Sequence, residues 1–411
     1  MATTILIIFL IVYLGMILGG LPFLRLDRTG VALLGAIALI SINALGLEQA
    51  VASIHLPTMA LLFAFMVVSA QMRLGGFYDW VTQKLAGLAL SPASLLGVLI
   101  GVSAALSAVF SNDIVCLAMA PLLVDACRRR QLAPVPYLLA LACASNIGSA
   151  ATLIGNPQNM LIGQTMRLSF DGYFLDAIIP VALGLAASWV LIVRQTRGRW
   201  QEPDEAAGTA GVSELQAGSM PFDAWQTTKG LLVAGALLVA FLVVPWPREH
   251  MALIGAGILL MSRQLRSRNM LGLVDWELLV LFMSLFVVNA AFQRTGFTEH
   301  AIAWLASLGV RLDQPGALFG ATFVLSNLVS NVPAVMLLMP VVHHPLGGVM
   351  LALVSTLAGN LLIVGSIANI IVVDAAGRRG IVIDWRRHAR VGVPVTLMTL
   401  AVSGVYLALR F

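Results

Sequence analysis

Apolar runs of about the length needed to cross a bilayer follow one another through almost the whole chain. A hydrocarbon core about 30 Å thick needs roughly 20 helical residues to span it. The runs at 4–24, 30–47, 57–72, 136–163, 173–193, 230–246, 251–262, 276–292, 348–373 and 391–409 meet or approach that length. Charged residues make up only 10% of the 411 positions, against roughly 25% in a soluble domain. So little charge cannot cover a surface that faces water. The chain reads as an all-α polytopic membrane protein. Its net charge of +5 lies in short loops between apolar runs, so it reads as cytoplasmic-loop bias and no nucleic-acid partner is expected. The opening Met1-Ala2-Thr3-Thr4 puts no basic residue ahead of the first run, which reads as a retained span.

Segments 78–91 and 297–308 are shorter and amphipathic, and read as interfacial. The one long polar stretch, 195–229, mixes Gly, Ser, Pro and both signs of charge and reads as a cytoplasmic linker. It divides an N-terminal transmembrane repeat, 1–194, from a C-terminal one, 230–411. Ala32–Ala36 recurs as Ala252–Ala256, Val67–Ala70 as Val287–Ala290, and Gly76-Phe77 as Gly296-Phe297, all at one offset. Ser107, Ser111, Asn112 and Pro121 recur as Ser326, Ser330, Asn331 and Pro340, and Gly155–Asn159 is echoed by Gly365–Asn369. Such ordered matches identify a duplication. With an external N-terminus and five spans per repeat, only Arg167, Arg248, Arg294, Arg311 and Arg410 of the 24 Lys and Arg face outward. An odd number of spans inverts the second copy relative to the first, an arrangement that recurs in secondary transporters.

Two apolar segments, 94–127 and 315–342, are interrupted by Ser-Asn pairs. Residues 332–342 reach only about 16 Å as a helix, too short to cross, so the chain is expected to turn at Ser330-Asn331 and leave by the side it entered. The stretch after Asn112 reaches about 22 Å before Arg128. Each repeat is thus expected to hold about five transmembrane helices, one re-entrant hairpin and one broken helix. Irregular backbone at this depth persists only where protein or trapped water satisfies it, and a hairpin tip offers free carbonyls to a cation and free N–H groups to an anion. Ser and Asn also cap helices, so Ser111 and Ser330 have a structural reading as well.

The runs 136–163 and 348–373 hold the remaining polar words. Asn146, Gly148, Ser149 and Thr152 precede Gly155-Asn156-Pro157-Gln158-Asn159, where Pro157 removes a backbone donor in mid-span. Gly365, Ser366 and Asn369 are the expected partner break, without a proline. Gly148 and Ser149 read more readily as helix-packing residues. Asp113 follows the first Ser-Asn at hairpin-tip depth, whereas its mate is Val332; an intramembrane carboxylate points to a proton or cation pathway. Asp125 and Asp374 sit by basic clusters and read as arginine partners. Cys116, Cys127 and Cys143 read as buried small hydrophobes, and the six histidines map to loops or interfaces without ligand spacing. No clustered catalytic groups mark an enzyme.

Paired hairpins with Ser111-Asn112 and Ser330-Asn331 tips, each followed by a broken span such as Gly155–Asn159, resemble the ion transporter superfamily. That group includes divalent-anion:sodium symporters, citrate-transporter-like permeases, arsenite permeases and a class of sodium/proton antiporters. The resemblance implies that Ser111, Asn112, Gly155, Ser330 and Asn331 contact coupling ion and substrate, with a sodium site at Ser107, Ser111, Asn112 and Gly155. Thr152, Asn156, Asn159, Gly365, Ser366 and Asn369 complete the expected binding set around Asp113. Where the dicarboxylate branch has Ser-Asn-Thr, this chain has Asp113 and Val332, and an ionised Asp113 would repel a carboxylate. The Asn-Asp pair is more similar to the arsenite-permease and antiporter branches, where proton coupling is expected. The implied function is secondary active transport of a small anion or metalloid, coupled to protons or sodium by alternating access, with cation/proton antiport through Asp113 as the alternative. The implied setting is the inner (plasma) membrane, with the bilayer and a small-molecule or ion substrate as partners and no cofactor beyond the coupling ion. A homodimer is compatible with this architecture.

Overall fold

The computed structural model describes residues 1–21, 24–201 and 221–410. The first half comprises α1 (Ala2–Leu18), α2 (Arg28–Ser41), α3 (Leu47–Ser53), α4 (Leu56–Leu74), α5 (Phe77–Ala86), α6 (Pro92–Val109), α7 (Asn112–Arg129), α8 (Pro134–Ser149), α9 (Pro157–Thr165) and α10 (Phe170–Thr196). The second comprises α11 (Ala224–Val243), α12 (Arg248–Leu260), α13 (Ser267–Leu271), α14 (Trp276–Gln293), α15 (Phe297–Ser307), α16 (Pro315–Val329), α17 (Asn331–Leu338), α18 (Gly347–Ala358), α19 (Ile367–Gly377) and α20 (Trp385–Ala408). Both halves therefore list the same helices in the same order. Most of the expected linker, 202–220, lies outside the described residues; α10 ends at Thr196 and α11 starts at Ala224.

Local chemistry sets many of the boundaries. Asp27, Asp223, Asp275 and Asp384 cap α2, α11, α14 and α20 by accepting a backbone N–H from the first turn. Pro92, Pro134, Pro157 and Pro315 open α6, α8, α9 and α16, where a missing N–H costs no intrahelical bond. Tyr137 to Ser149 of α8 and the whole of α18 are buried. Helices apolar all round belong at the centre of a bundle. In contrast α1 and α11 expose Leu10, Leu14, Leu232 and Val239, the surface expected of a lipid-facing helix.

The halves pack by exchange. Helix α2 lies on α14, and its counterpart α12 lies on α4; α10 lies on α20. Each half thus places its second helix against the fourth helix of the other. The broken helices run antiparallel. Gly348, in the first turn of α18, abuts Met166 and Leu168 at the end of α9, whereas Arg379, just beyond α19, pairs with Asp125 of α7 at 3.1 Å. Arg128 also donates to the Arg379 carbonyl at 2.7 Å, and Asp374 pairs with Arg378 at 2.8 Å.

Several features differ from expectation. Helix α7 extends to Arg129, so its 18 residues measure about 27 Å, whereas α17 has eight residues and about 12 Å. The hairpins are thus unequal, because Pro340 falls in a short 3-10 turn after α17 while Pro121 is absorbed within α7. Helix α5 buries Phe77, Tyr78, Thr82 and Leu85, while its counterpart α15 buries no residue. His388 is not in a loop. It is 2% exposed in the first turn of α20, and its Nε2 lies 3.1 Å from the Asn360 carbonyl.

Candidate functional site

Two hairpin tips and two helix breaks meet inside this bundle. The first tip is Phe110-Ser111, between α6 and α7; the second is Ser330 alone, between α16 and α17. Ser330 has φ 79° and ψ 159°, a region that side chains rarely occupy and that costs of order 1–3 kcal/mol. Ser111 turns with ordinary backbone angles. The first break spans 150–156 and the second 359–366. Without a proline, the second rests on caps: Ser366 accepts the Ala368 N–H at 3.2 Å, and Asn369 Nδ2 donates to the Gly359 and Leu362 carbonyls at 2.9 and 3.0 Å.

Glycine lets the first tip and first break touch. A Cβ on Gly155 would lie 2.3 Å from the Ser149 carbonyl oxygen and 2.8 Å from that of Ser107, in the last turns of α6. The Asn112 N–H donates to the Gly155 carbonyl at 3.4 Å. Gly148 packs similarly on the Ala104 backbone. In the second half Gly359 brings Asn331 Nδ2 and the Gly365 carbonyl oxygen to 3.3 Å of its Cβ position.

Most polar side chains of the breaks hold one another. Asn156 accepts the Asn159 N–H at 2.9 Å, and its Nδ2 donates to Ser149 at 3.0 Å and Thr356 at 3.1 Å. Asn159 donates to the Thr152 carbonyl at 3.0 Å and to Tyr173 at 3.1 Å, and accepts from Thr356 at 3.3 Å. Thr152 donates to the Ala108 carbonyl and accepts the Ile154 N–H. Ser366 donates to Asn146 at 2.9 Å, and Asn369 accepts from Asn146 at 3.3 Å. These side chains build the breaks and have little capacity left for a ligand.

Spare capacity lies at the tips. The side-chain oxygens of Asn112, Asn331 and Asn327 are buried and accept no hydrogen bond from the described residues, and the Ser107 and Ser326 hydroxyls are likewise unpartnered. Leaving a buried polar group unsatisfied costs about 1–3 kcal/mol, and Ser107 with Ser326, and Asn112 with Asn331, carry such groups at matching places in the two halves. Asp113 is half-buried at the start of α7 and forms no ion pair among the described residues. No group of three or more His, Cys, Asp or Glu that could hold a metal occurs among the described residues. Oxygen atoms of Asn, Ser and backbone suit a hard monovalent cation or a hydroxylated solute instead.

The structure thus gathers Ser107, Ser111, Asn112, Thr152, Gly155, Asn156 and Asn159 around the first tip and break, and Ser330, Asn331, Gly365, Ser366 and Asn369 around the second. Sequence reasoning missed Thr356, Asn360 and Asn327. Aligning the two breaks would have placed Thr356 opposite Asn146. Asn327 has no such signal, since its counterpart is Ala108.

Comparison with known proteins agrees with this architecture. The fold matches the crystal structure of the Alcanivorax borkumensis YdaH transporter with a TM-score of 0.58 at 14% identity, over 99% of this chain and 97% of that one. A 46 kDa membrane protein of Mycobacterium leprae is 28% identical, over 94% of this chain and 95% of its own. A silicon efflux transporter of Oryza sativa subsp. japonica is also 28% identical, over 93% and 92%. The family model described as citrate transporter matches residues 4–358. The chain is a multi-pass membrane transporter and belongs to the citrate transporter family.

Proposed function

We propose that the protein is a secondary active transporter that moves a small hydroxylated metalloid or small anion, coupled to protons or sodium, by alternating access in the inner (plasma) membrane. The observation that carries this reading is the pair of buried amide oxygens, Asn112 and Asn331, at equivalent hairpin tips, neither with a donor among the described residues. Ser107, Ser111 and Gly155 on one side, and Ser330 and Gly365 on the other, supply further oxygen ligands for a coupling cation. In this reading 1–194 and 230–411 are inverted repeats joined by a cytoplasmic linker, 195–229. Contacts at the helix ends support the topology. Arg130 donates to the Leu88 carbonyl at 2.9 Å and Lys229 to that of Met261 at 3.0 Å, both at helix ends that the charge pattern places inside. Arg294 donates to Gln49 at 2.6 Å, and Arg410 pairs with Asp176, both near helix ends it places outside.

The cargo follows from charge. Among the tip and break residues the one ionisable group is Asp113, and neither Lys nor Arg is present to balance a tricarboxylate. Moving an uncompensated polyanion to this depth carries a large desolvation cost. A neutral hydroxylated species, such as silicic or arsenous acid, needs only the amides and hydroxyls provided, and the silicon efflux relative accords with that choice. The test is flux in proteoliposomes of silicate, arsenite and citrate, with pH and sodium gradients imposed separately. Flux of citrate without either metalloid overturns the cargo assignment, and flux insensitive to both gradients overturns secondary transport. Cation/proton antiport is the second reading, favoured by Asp113, which forms no ion pair among the described residues. It predicts sodium-dependent proton movement with no other solute present.

A further inference from the structure

The two breaks are cross-wired by residues on the helices before them. Aligning Gly155 with Gly365 and Asn159 with Asn369 places Asn146 of α8 opposite Thr356 of α18. Each reaches into the other repeat. Thr356 takes the Asn156 amide at 3.1 Å and donates to Asn159, while Asn146 takes the Ser366 hydroxyl at 2.9 Å and donates to Asn369 at 3.3 Å. The exchange is symmetric up to this point. Asn146 then makes two bonds that Thr356 does not: its Oδ1 accepts the Asn112 amide at 3.0 Å, and its Nδ2 donates to Asn360 Oδ1 at 2.8 Å. Thr356 forms no bond to Asn331, whose amide oxygen has no donor among the described residues. A Thr hydroxyl has one proton and a short reach, whereas an Asn amide supplies two donors and a carbonyl.

We infer that Asn146 is a positioning residue that ties the first hairpin tip to the second repeat's break, so that the two half-sites fill cooperatively. Its side chain presents no free atom to a ligand. All four side-chain bonds go to protein, and two of the partners, Asn112 and Ser366, belong to different half-sites. The Asn112 amide can rotate about its last side-chain bond, and the bond to Asn146 sets which way its free oxygen faces. A cation that draws on Asn112 Oδ1 polarises the same amide, which strengthens donation to Asn146. A stronger bond at Asn146 Oδ1 polarises the Asn146 amide in turn, so its Nδ2 donates more strongly to Asn369 of α19, and an event at the first tip is felt at the second break. The second tip lacks the reciprocal tie, and the coupling enters through Asn112.

This inference rests on the proposed ion site, and the experiment separates the two. Full-length protein in proteoliposomes is assayed for flux against the concentration of whichever of sodium or protons drives transport. The native protein is expected to give a Hill coefficient above 1. Asn146→Thr, which places in the first repeat the residue that the second carries, should bring the coefficient to 1. It should also raise the half-saturating concentration roughly tenfold, the size of one net hydrogen bond, with maximal flux within about threefold of native. Thr356→Val should weaken saturation without changing the coefficient. A native coefficient of 1, or Asn146→Thr with native coefficient and half-saturation, overturns the inference. Normal flux in Asn112→Ala overturns the site reading itself. Should Asn146→Thr not fold, a double-mutant cycle keeps Asn146 in place: Asn112→Ser and Ser366→Ala, read by the shift of thermal midpoint with the ion, should be non-additive by more than about threefold in apparent affinity. Additivity there also overturns the tie.

Discussion

Substituting Gly155 by Ala tests the closest approach in the site. The new Cβ would stand 2.3 Å from the Ser149 carbonyl oxygen, 2.7 Å from Ser149 Cα and 2.8 Å from the Ser107 carbonyl oxygen. All three are backbone atoms, so no rotamer change relieves the contact. Restoring ordinary spacing requires a movement of roughly 1 Å, and overpacking of this kind costs about 1–3 kcal/mol. The movement separates the first tip from the first break, since Ser107 belongs to α6 and Ser149 to α8. A misplacement of about 1 Å can cost on the order of a hundredfold in rate. Gly365→Ala is the built-in comparison. There the nearest atom is the Gly359 carbonyl oxygen at 3.0 Å and the next is Asn327 Oδ1 at 3.5 Å, so a few tenths of an ångström suffice. Gly101→Ala in α6 meets nothing within 4 Å and controls for helix propensity. Flux in proteoliposomes, normalised to inserted protein, should fall at least fiftyfold for Gly155→Ala. It should fall severalfold for Gly365→Ala and stay native for Gly101→Ala. Native flux in Gly155→Ala, or a greater loss in Gly365→Ala, would refute the idea that tip and break must touch.

Ser330→Gly should raise the thermal midpoint in detergent, because relieved strain of order 1–3 kcal/mol exceeds the roughly 0.5–1 kcal/mol entropy cost of glycine; equal midpoints for Ser330→Gly and Ser330→Ala would count against strain at the second tip. Asn112→Ala and Asn331→Ala should each abolish flux while leaving folded, inserted protein, as checked by size-exclusion profile and flux together. Normal flux in both would return these residues to helix capping. Asp113→Asn should keep the fold and remove the acceleration of flux by an imposed pH gradient, since it keeps the side chain's shape without a titrating proton. An undiminished response to that gradient would move proton coupling elsewhere.

Much of the architecture was legible because polar words inside apolar runs mark the places where helices cannot continue. Ser-Asn pairs located both tips, and Pro157 located the first break. The second break has no proline, and its caps, Ser366 and Asn369, were recognisable chiefly as echoes of Asn156 and Asn159. The partners of those residues were another matter. Thr356 and Asn360 sit on or just after a uniformly buried helix, which has no amphipathic phase to say which side faces the site. Their roles depend on two broken helices crossing antiparallel, a long-range relation that spacing does not encode. For the same reason the sequence made Thr152, Asn156, Asn159, Ser366 and Asn369 look like ligands. In the structure they bond chiefly to one another and to the backbone of the breaks. His388 was hidden by its neighbours, since Arg386 and Arg387 made its surroundings look aqueous although the ring is buried.

The duplication makes the departures from symmetry informative. A two-fold ancestor would offer two half-sites of equal chemistry. Here the first tip carries Asp113 where the second has Val332, and the first α8 carries Asn146 where α18 has Thr356. Helix α16 carries Asn327 where α6 has Ala108, and the second hairpin arm has eight residues where the first has 18. These changes sort by side. The titratable carboxylate and the amide relay are on the first half-site; the strained tip and the spare amide oxygen of Asn327 are on the second. Coupling between two ligands requires a free-energy connection between the places they occupy. Divergence of Asp113 alone would supply the difference, and divergence of Asn146 alone the connection. Their coincidence on one repeat, joined through Asn112, puts the carboxylate one residue from the amide that bonds, through Asn146, to the opposite break.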